Sequence, residues 1–126
     1  MKSLLGIIIG LVVLLGHSVP VRADMFDVIT IKLNEGCTVS QASKIVADLN
    51  AYAKDNGGVA YELLTPLHGP NQGVLIAVGR HPNVAAFGAW ADHFLAQSGD
   101  SAAGKTRQQI RQCASIVNRA SAVSVK

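Results

Sequence analysis

The stretch MFDVITIKLN, residues 25–34, has the alternating pattern of a β-strand. In an extended chain Ile29, Ile31 and Leu33 lie on one face, whereas more polar side chains such as Lys32 lie on the other. Several of its residues are β-branched, which suits a pleated, partly buried surface. The stretch therefore predicts a half-buried strand that ends before the glycine at position 36.

The segments that follow this strand predict alternating helices and strands. A capping-box pattern at residues 38–41 precedes apolar residues spaced by three and four, which is typical of a helix. The predicted elements are strands at 25–34, 59–67, 74–78 and 116–125, and helical segments at 42–53, 87–95 and 101–112. The order β-α-β-β-α-β is the ferredoxin-like arrangement. The predicted fold class is α+β, with a four-stranded antiparallel sheet and helices on one face.

Residues 1–23 have the three-part pattern of a secretory signal peptide. A positively charged start precedes the uncharged apolar run 4–15, and Val21-Arg22-Ala23 ends in the small-x-small pattern of a cleavage site. A membrane anchor is the alternative, but the apolar run is shorter than the roughly 20 residues that a spanning helix needs. The pattern predicts a periplasmic or secreted protein in which residues 24–126 form a single domain.

The charge of the exported domain excludes two classes of partner. Without Lys2 and Arg22 the formal net charge falls from +3 to +1. The remaining basic residues form no cluster, so no electrostatic footprint for nucleic acid or an anionic membrane is expected.

Two cysteines, Cys37 and Cys113, follow the first predicted strand and precede the last. In the ferredoxin-like order the last strand runs antiparallel beside the first, which brings these two positions together. Exported proteins fold in an oxidising compartment, so the pair is predicted to form a disulfide, although two buried free thiols are the alternative.

One face of the predicted sheet has no helix to cover it. A mixed polar and apolar sheet face commonly packs against a partner, and two such sheets packed face to face form a dimeric barrel. The expected assembly is therefore a homodimer.

The run GRHPNVAAFGAWADHF, residues 79–94, with its aromatic-x-x-Trp element from Phe87 to Trp90, resembles the dimeric α+β barrel superfamily. That superfamily includes antibiotic-biosynthesis-monooxygenase-like and NIPSNAP-like domains. The resemblance implies a pocket used for cofactor-free oxygenation of aromatic compounds, for haem, or for other small apolar ligands. Its haem-degrading members combine a first-strand Asn, a helix Trp and a downstream His. Asn34 and Trp90 match the first two, but Asp100 stands in the place of the histidine, so no haem or other cofactor is expected.

Five residues are candidates for a site. His93 and Asn34 are the catalytic candidates, because imidazole and amide groups can handle a proton or orient a substrate. Trp90, Tyr61 and Arg80 are the ligand-binding candidates. Trp90 has an alternative role as an ordinary core residue, and His93 as an exposed helix residue.

The remaining histidines show no metal-ligand spacing. His68 and His81 flank predicted turns, and together with His93 they belong to separate elements. Structural and catalytic metal sites need three or four converging ligands, so no metal site is predicted.

Two functions remain open. The first is a non-catalytic module that binds a small apolar ligand, favoured because the polar residues form no recognisable catalytic set. The alternative is a cofactor-independent monooxygenase-like enzyme acting on a small aromatic substrate. The chain has no nucleophile-elbow or phosphate-loop motif that would indicate hydrolysis or nucleotide chemistry.

Overall fold

The computed structural model describes residues 23–69 and 73–125. The elements in chain order are β1 Met25–Leu33, α1 Val39–Asp55, β2 Tyr61–Leu64, β3 Leu75–His81, α2 Val84–Ala96, α3 Ala102–Cys113 and β4 Ala114–Val123. The predicted signal peptide, apart from Ala23, lies outside the described residues, and its cleavage stays a prediction. Within those ranges, no helix is long and apolar enough to cross a bilayer.

The four strands form one antiparallel sheet in the order β2-β3-β1-β4. The helices cover the face that carries Ile29, Ile31 and Ala77. The predicted α+β, ferredoxin-like arrangement is therefore confirmed. The sheet of one chain is open rather than closed into a barrel, so β2 and β4 are its edge strands.

The first helix begins at the capping box that the sequence predicts. The backbone N–H of Gln41 donates to Thr38 Oγ1 at 3.2 Å, and the N–H of Thr38 donates to Gln41 Oε1 at 2.8 Å. The helix ends where Gly57 adopts a positive φ of 75°. A side chain at the next residue, Gly58, would collide with the Trp90 ring, because a Cβ there would lie 2.7 Å from Cε3. This close approach lets α1 and α2 share one layer.

The predicted disulfide joins the end of β1 to the junction of α3 and β4. Cys37 and Cys113 are bonded, and their Cα atoms lie 5.2 Å apart. The backbone N–H of Asn34 also donates to the Cys113 carbonyl at 2.9 Å. The pairing follows from the strand order, since β1 and β4 are neighbours.

The last strand differs from its predicted form in two ways. It begins at Ala114, directly after α3, and its pairing with β1 shifts by one residue between Thr30 and Ile31. Such a β-bulge places two residues of one strand opposite one of the other, so side chains beyond it change faces. As a result Ile116 and Arg119 both line the helix-covered side.

Candidate functional site

A cavity of about 280 Å³ lies between the sheet and the three helices. This volume is at the small end of the range for small-molecule sites. Most of its wall is aliphatic or aromatic: Ile29, Ile31, Ala42, Ile45, Val46, Leu49, Ala77, Phe87, Trp90, Ala91, Phe94, Leu95, Ile110 and Ile116. The polar side chains on the wall are those of Tyr61 and three arginines.

Trp90 forms the aromatic part of the wall. It is 6% exposed, stacks on Phe94 with ring centroids 5.4 Å apart, and contacts Tyr52 at 5.9 Å. Trp90 is therefore packed among aromatic rings and also lines the cavity, and its ligand-binding role stays a prediction.

A buried polar cluster lies beside the cavity, centred on Asp27. The Asp27 side chain has no exposed surface, and Arg119 donates to both of its oxygens, from Nε at 2.9 Å and from a terminal nitrogen at 2.8 Å. The Tyr61 hydroxyl donates to Asp27 Oδ2 at 2.7 Å. A buried carboxylate requires this kind of bidentate pairing, because burial without a partner is very unfavourable.

His81 completes the cluster and is 1% exposed. Its Nε2 lies 3.4 Å from the Tyr61 hydroxyl oxygen, and its ring meets Phe87 edge-on at 5.0 Å. The Tyr61 hydroxyl already donates its proton to Asp27, so it can only accept from His81. The 3.4 Å contact is therefore a hydrogen bond from His81 Nε2–H to the Tyr61 hydroxyl oxygen.

The surroundings shift the pKa values of three members of the cluster. Burial, and then the hydrogen bond to Asp27, raise the pKa of Tyr61 well above its ordinary value. Burial lowers the pKa of His81 below its ordinary value, and the charge of Asp27 opposes that shift. The hydrogen bonds to Asp27 raise the pKa of Arg119. At neutral pH the cluster therefore holds a neutral tyrosine and a neutral histidine.

A glycine on the intervening strand lets this cluster form. Gly79 on β3 lies opposite Asp27 on one side and opposite Tyr61 on the other. A Cβ at Gly79 would lie 2.6 Å from Tyr61 Cζ, so only glycine leaves room for the phenol to cross β3 towards Asp27. The α1 residue Asn50 holds the edge strand in place, since its side-chain amide bonds both backbone groups of Tyr61 at 2.8 and 2.9 Å.

Trp90 and Tyr61 are the predicted site residues that line the cavity. His93 does not line it; this residue is exposed, and its Nε2 lies 3.1 Å from the Tyr52 hydroxyl. The structure therefore brings Trp90 and Tyr61 to one cavity and leaves His93 on the outer side of α2.

Asn34 and Arg80 lie elsewhere. The Asn34 amide donates to the Gln112 carbonyl at 3.0 Å and accepts from Ser115 at 2.7 Å, which ties the disulfide end of the sheet together. Arg80 pairs with Asp24 and lies over the Phe26 ring at 5.9 Å. Because it neighbours Gly79 on β3, its side chain points to the face without helices.

Sequence reasoning missed Asp27 and Arg119 as members of a site. One signal was present: Asp27 has the same parity as Ile29 and Ile31, so the alternation of β1 already places a carboxylate on the buried face. Its partner could not be read from the sequence, since Arg119 is 92 positions away.

The described residues contain no group of three or more side chains that could hold a metal ion. Among the residues that the structure describes, no histidine lines the cavity, since His81 is enclosed behind Phe87 and His93 is outside. These residues do not fit a haem held by histidine.

No family model matches the chain, and no curated protein matches it.

Three solved structures share its fold, each over 82% of this chain. A NIPSNAP family protein of unknown function from Agrobacterium tumefaciens has a TM-score of 0.59 at 13% identity over 87% of its length. A conserved protein of unknown function from Bacteroides thetaiotaomicron, described as a possible oxidoreductase, has a TM-score of 0.51 at 14% identity over 99% of its length. A dimeric ferredoxin-like protein of unknown function from Thermobifida fusca has a TM-score of 0.50 at 12% identity over 92% of its length. These likenesses confirm the predicted resemblance at the level of the ferredoxin-like, NIPSNAP-like fold.

Proposed function

We propose that this protein is a non-catalytic module that binds a small apolar molecule in the cavity between sheet and helices. The observation that carries the proposal is an apolar cavity whose neighbouring carboxylate, tyrosine and histidine are already paired within one buried cluster. Tyr61, His81, Asp27 and Arg119 form one closed set of hydrogen bonds. In the described part of the chain, no buried side-chain polar atom lacks a partner.

The monooxygenase-like alternative requires a group in the cavity that can accept a proton. Of the residues in ranges 23–69 and 73–125, Tyr61 is the one titratable residue on the cavity wall apart from the arginines and a disulfide cysteine. Burial and Asp27 raise its pKa, so the phenol stays protonated at neutral pH and can donate a hydrogen bond but not act as a base. The possible-oxidoreductase description of one fold neighbour keeps this alternative open.

The proposal is tested with the fluorescence of Trp90, the single tryptophan of the chain. Titration with a small apolar probe such as naphthalene should change its emission, because the indole forms part of the cavity wall. Filling the cavity with Ala77→Leu should weaken that response, whereas Ala47→Leu on the exposed side of α1 should leave it intact. Absence of any saturable response in the unaltered protein would refute the proposal.

We also propose that two copies pair through the sheet face without helices. Val28 and Val78 are directly paired on that face, Ile76 follows them, and Leu64 on the edge is 46% exposed. The dimeric description of the Thermobifida fusca neighbour supports this arrangement. Light scattering should give twice the chain mass, and Val78→Glu should give a folded monomer; a wild-type monomer at micromolar concentration would count against it.

Export with cleavage after Ala23 is likewise a proposal, supported by the signal-peptide pattern of residues 1–23. Its test is the N-terminal sequence of protein recovered from outside the cytoplasm. A chain that still carries residues 1–23 would refute it.

A further inference from the structure

We infer that the ligand of this cavity is an apolar molecule ending in a carboxylate, bound with its acid group towards Arg107 and Arg111. This inference rests on the proposed binding function and adds the chemical class of the ligand. Its starting point is the charge of the wall: Arg107, Arg111 and Arg119 line the cavity, and no Asp or Glu does.

The three arginines are not equivalent. Asp27 neutralises Arg119 with two hydrogen bonds, so that guanidinium has no excess charge to offer a ligand. Within the described residues, neither Arg107 nor Arg111 forms a salt bridge. The cavity therefore combines an apolar interior with two uncompensated positive charges.

Arg107 is held in position before any ligand arrives. Its guanidinium donates to the carbonyls of Phe94 and Gln97 at the end of α2, the second bond measuring 2.6 Å. It also lies over the Phe94 ring at 5.5 Å. A guanidinium has five N–H donors, so the two carbonyls leave three for another acceptor. Arg107 is thus a partly buried, oriented cation beside the aromatic wall.

Arg111 adds a second positive charge on the same side of α3. It follows Arg107 by four residues, and Ile110 between them also lines the cavity. The Arg111 side chain is exposed and makes no hydrogen bond or ion pair with the described residues. Two cations one helical turn apart suit a carboxylate, which can accept from both.

Two exposed residues of the cavity lining indicate that Arg107 and Arg111 lie at the opening of the cavity. Leu95 is 64% exposed and Ile116 is 57% exposed, although both line the cavity. The opening therefore lies among the ends of α2, α3 and β4, where Arg107 and Arg111 also are. A ligand with its apolar body against Trp90 would present its other end to the two guanidinium groups.

The test compares octanoate, 1-octanol and octylammonium, which share one alkyl chain and differ in charge, by titration of Trp90 fluorescence. Octanoate should bind about tenfold more tightly than octanol, as expected for one charge-assisted contact, and octylammonium should bind most weakly. Raising the salt concentration should reduce the octanoate advantage.

Arg111→Gln is the main variant, because the Arg111 side chain has no structural contact to lose. It should remove most of the octanoate advantage and leave octanol affinity unchanged. Lys105→Gln removes the same charge from an exposed α3 position outside the cavity, and should leave the octanoate-to-octanol ratio unchanged. Arg107→Gln should act like Arg111→Gln if α2 stays folded by circular dichroism.

Two outcomes separate the claims. Equal binding of octanoate and octanol, or an unchanged ratio in Arg111→Gln, overturns the carboxylate inference and leaves the apolar binding function standing. No saturable response to any of the three probes overturns the binding function itself, and this inference with it.

Discussion

The strand pair β1–β4 is held together by a disulfide at one end and by an ion pair towards the other. At one end, the Cys37–Cys113 disulfide joins the residues beyond β1 to the start of β4. Towards the other end, the Asp27 carboxylate on β1 is bound by Arg119, which lies midway along β4. The disulfide is covalent and acts mainly by restricting the unfolded chain. The ion pair acts in the folded state, and its contribution depends on which groups are charged.

This difference also separates the two ends functionally. The disulfide end consists of backbone and amide contacts around Asn34. The region around the Asp27–Arg119 ion pair lies beside the cavity, and its residues Tyr61 and Arg119 line the cavity wall. A change at Asn34, which does not line the cavity, should therefore affect stability alone, whereas a change at Asp27 or Arg119 should affect both stability and binding.

Removal of the disulfide should have the largest effect on stability. In the chain-entropy model a crosslink between residues 76 positions apart contributes about 4 kcal/mol. The double variant Cys37→Ala/Cys113→Ala should lose about that much in urea denaturation, and the loss should be nearly the same at pH 5 and pH 8. A strongly pH-dependent loss of stability would contradict the interpretation that the disulfide alone stabilises this end of the strand pair.

Arg119→Met should have the next largest effect, a loss of about 3 kcal/mol at neutral pH. The variant leaves the fully buried Asp27 carboxylate without its counter-ion. The matched control is Asp27→Asn/Arg119→Met, which should recover part of the stability at pH 7. A single variant with wild-type stability would show that the pair is a surface contact.

Gly79→Ala should cost about 2 kcal/mol through overpacking, because the new methyl group would displace the Tyr61 ring. The change should also alter probe binding, since Tyr61 lines the cavity. Gly88→Ala is the matched control: nothing lies within 4 Å of its Cβ position in α2, so it should be neutral or stabilising. Equal effects from the two substitutions would refute the role assigned to Gly79.

The smallest expected effect is a pH dependence that originates at His81. Burial lowers its pKa below the ordinary 6.5, so the folded state binds this proton less readily than the unfolded chain. The resulting stability is present above pH 6.5 and is lost as the pH falls through the lowered folded value. Urea denaturation between pH 8 and pH 5 measures it, and His81→Gln should flatten the profile. An unchanged profile would assign the acid sensitivity to other groups.

Sequence patterns predicted the elements whose causes are local. The capping box at Thr38 and Gln41 and the alternation of β1 both appear in the structure, because each depends on residues within a few positions. The β4 pattern failed at its bulge, because Ile116 and Arg119, which an unbroken alternation would place on opposite faces, both lie on the helix-covered side. A bulge is set by the partner strand and is not encoded in the periodicity of one strand.

In the candidate site too, the sequence did not show contacts between residues that are distant in the chain. Trp90 and Tyr61 line the cavity, and their predicted ligand-binding role stays a prediction. Asn34 and Arg80 have polar side chains whose partners are distant in sequence, so their locations at the disulfide end and on the other sheet face required the fold.

By itself, the sequence determined the order of strands and helices and, through the ferredoxin-like arrangement that this order predicts, that Cys37 and Cys113 meet. Hydrophobic periodicity and capping patterns are properties of short segments, so the sequence alone contains them. Only the tertiary structure determined that Asp27, Tyr61 and Arg119 meet although they lie on three different strands, and that Gly79 leaves space for the Tyr61 ring. Such contacts depend on strand register and on the volume of single side chains, which no local pattern records.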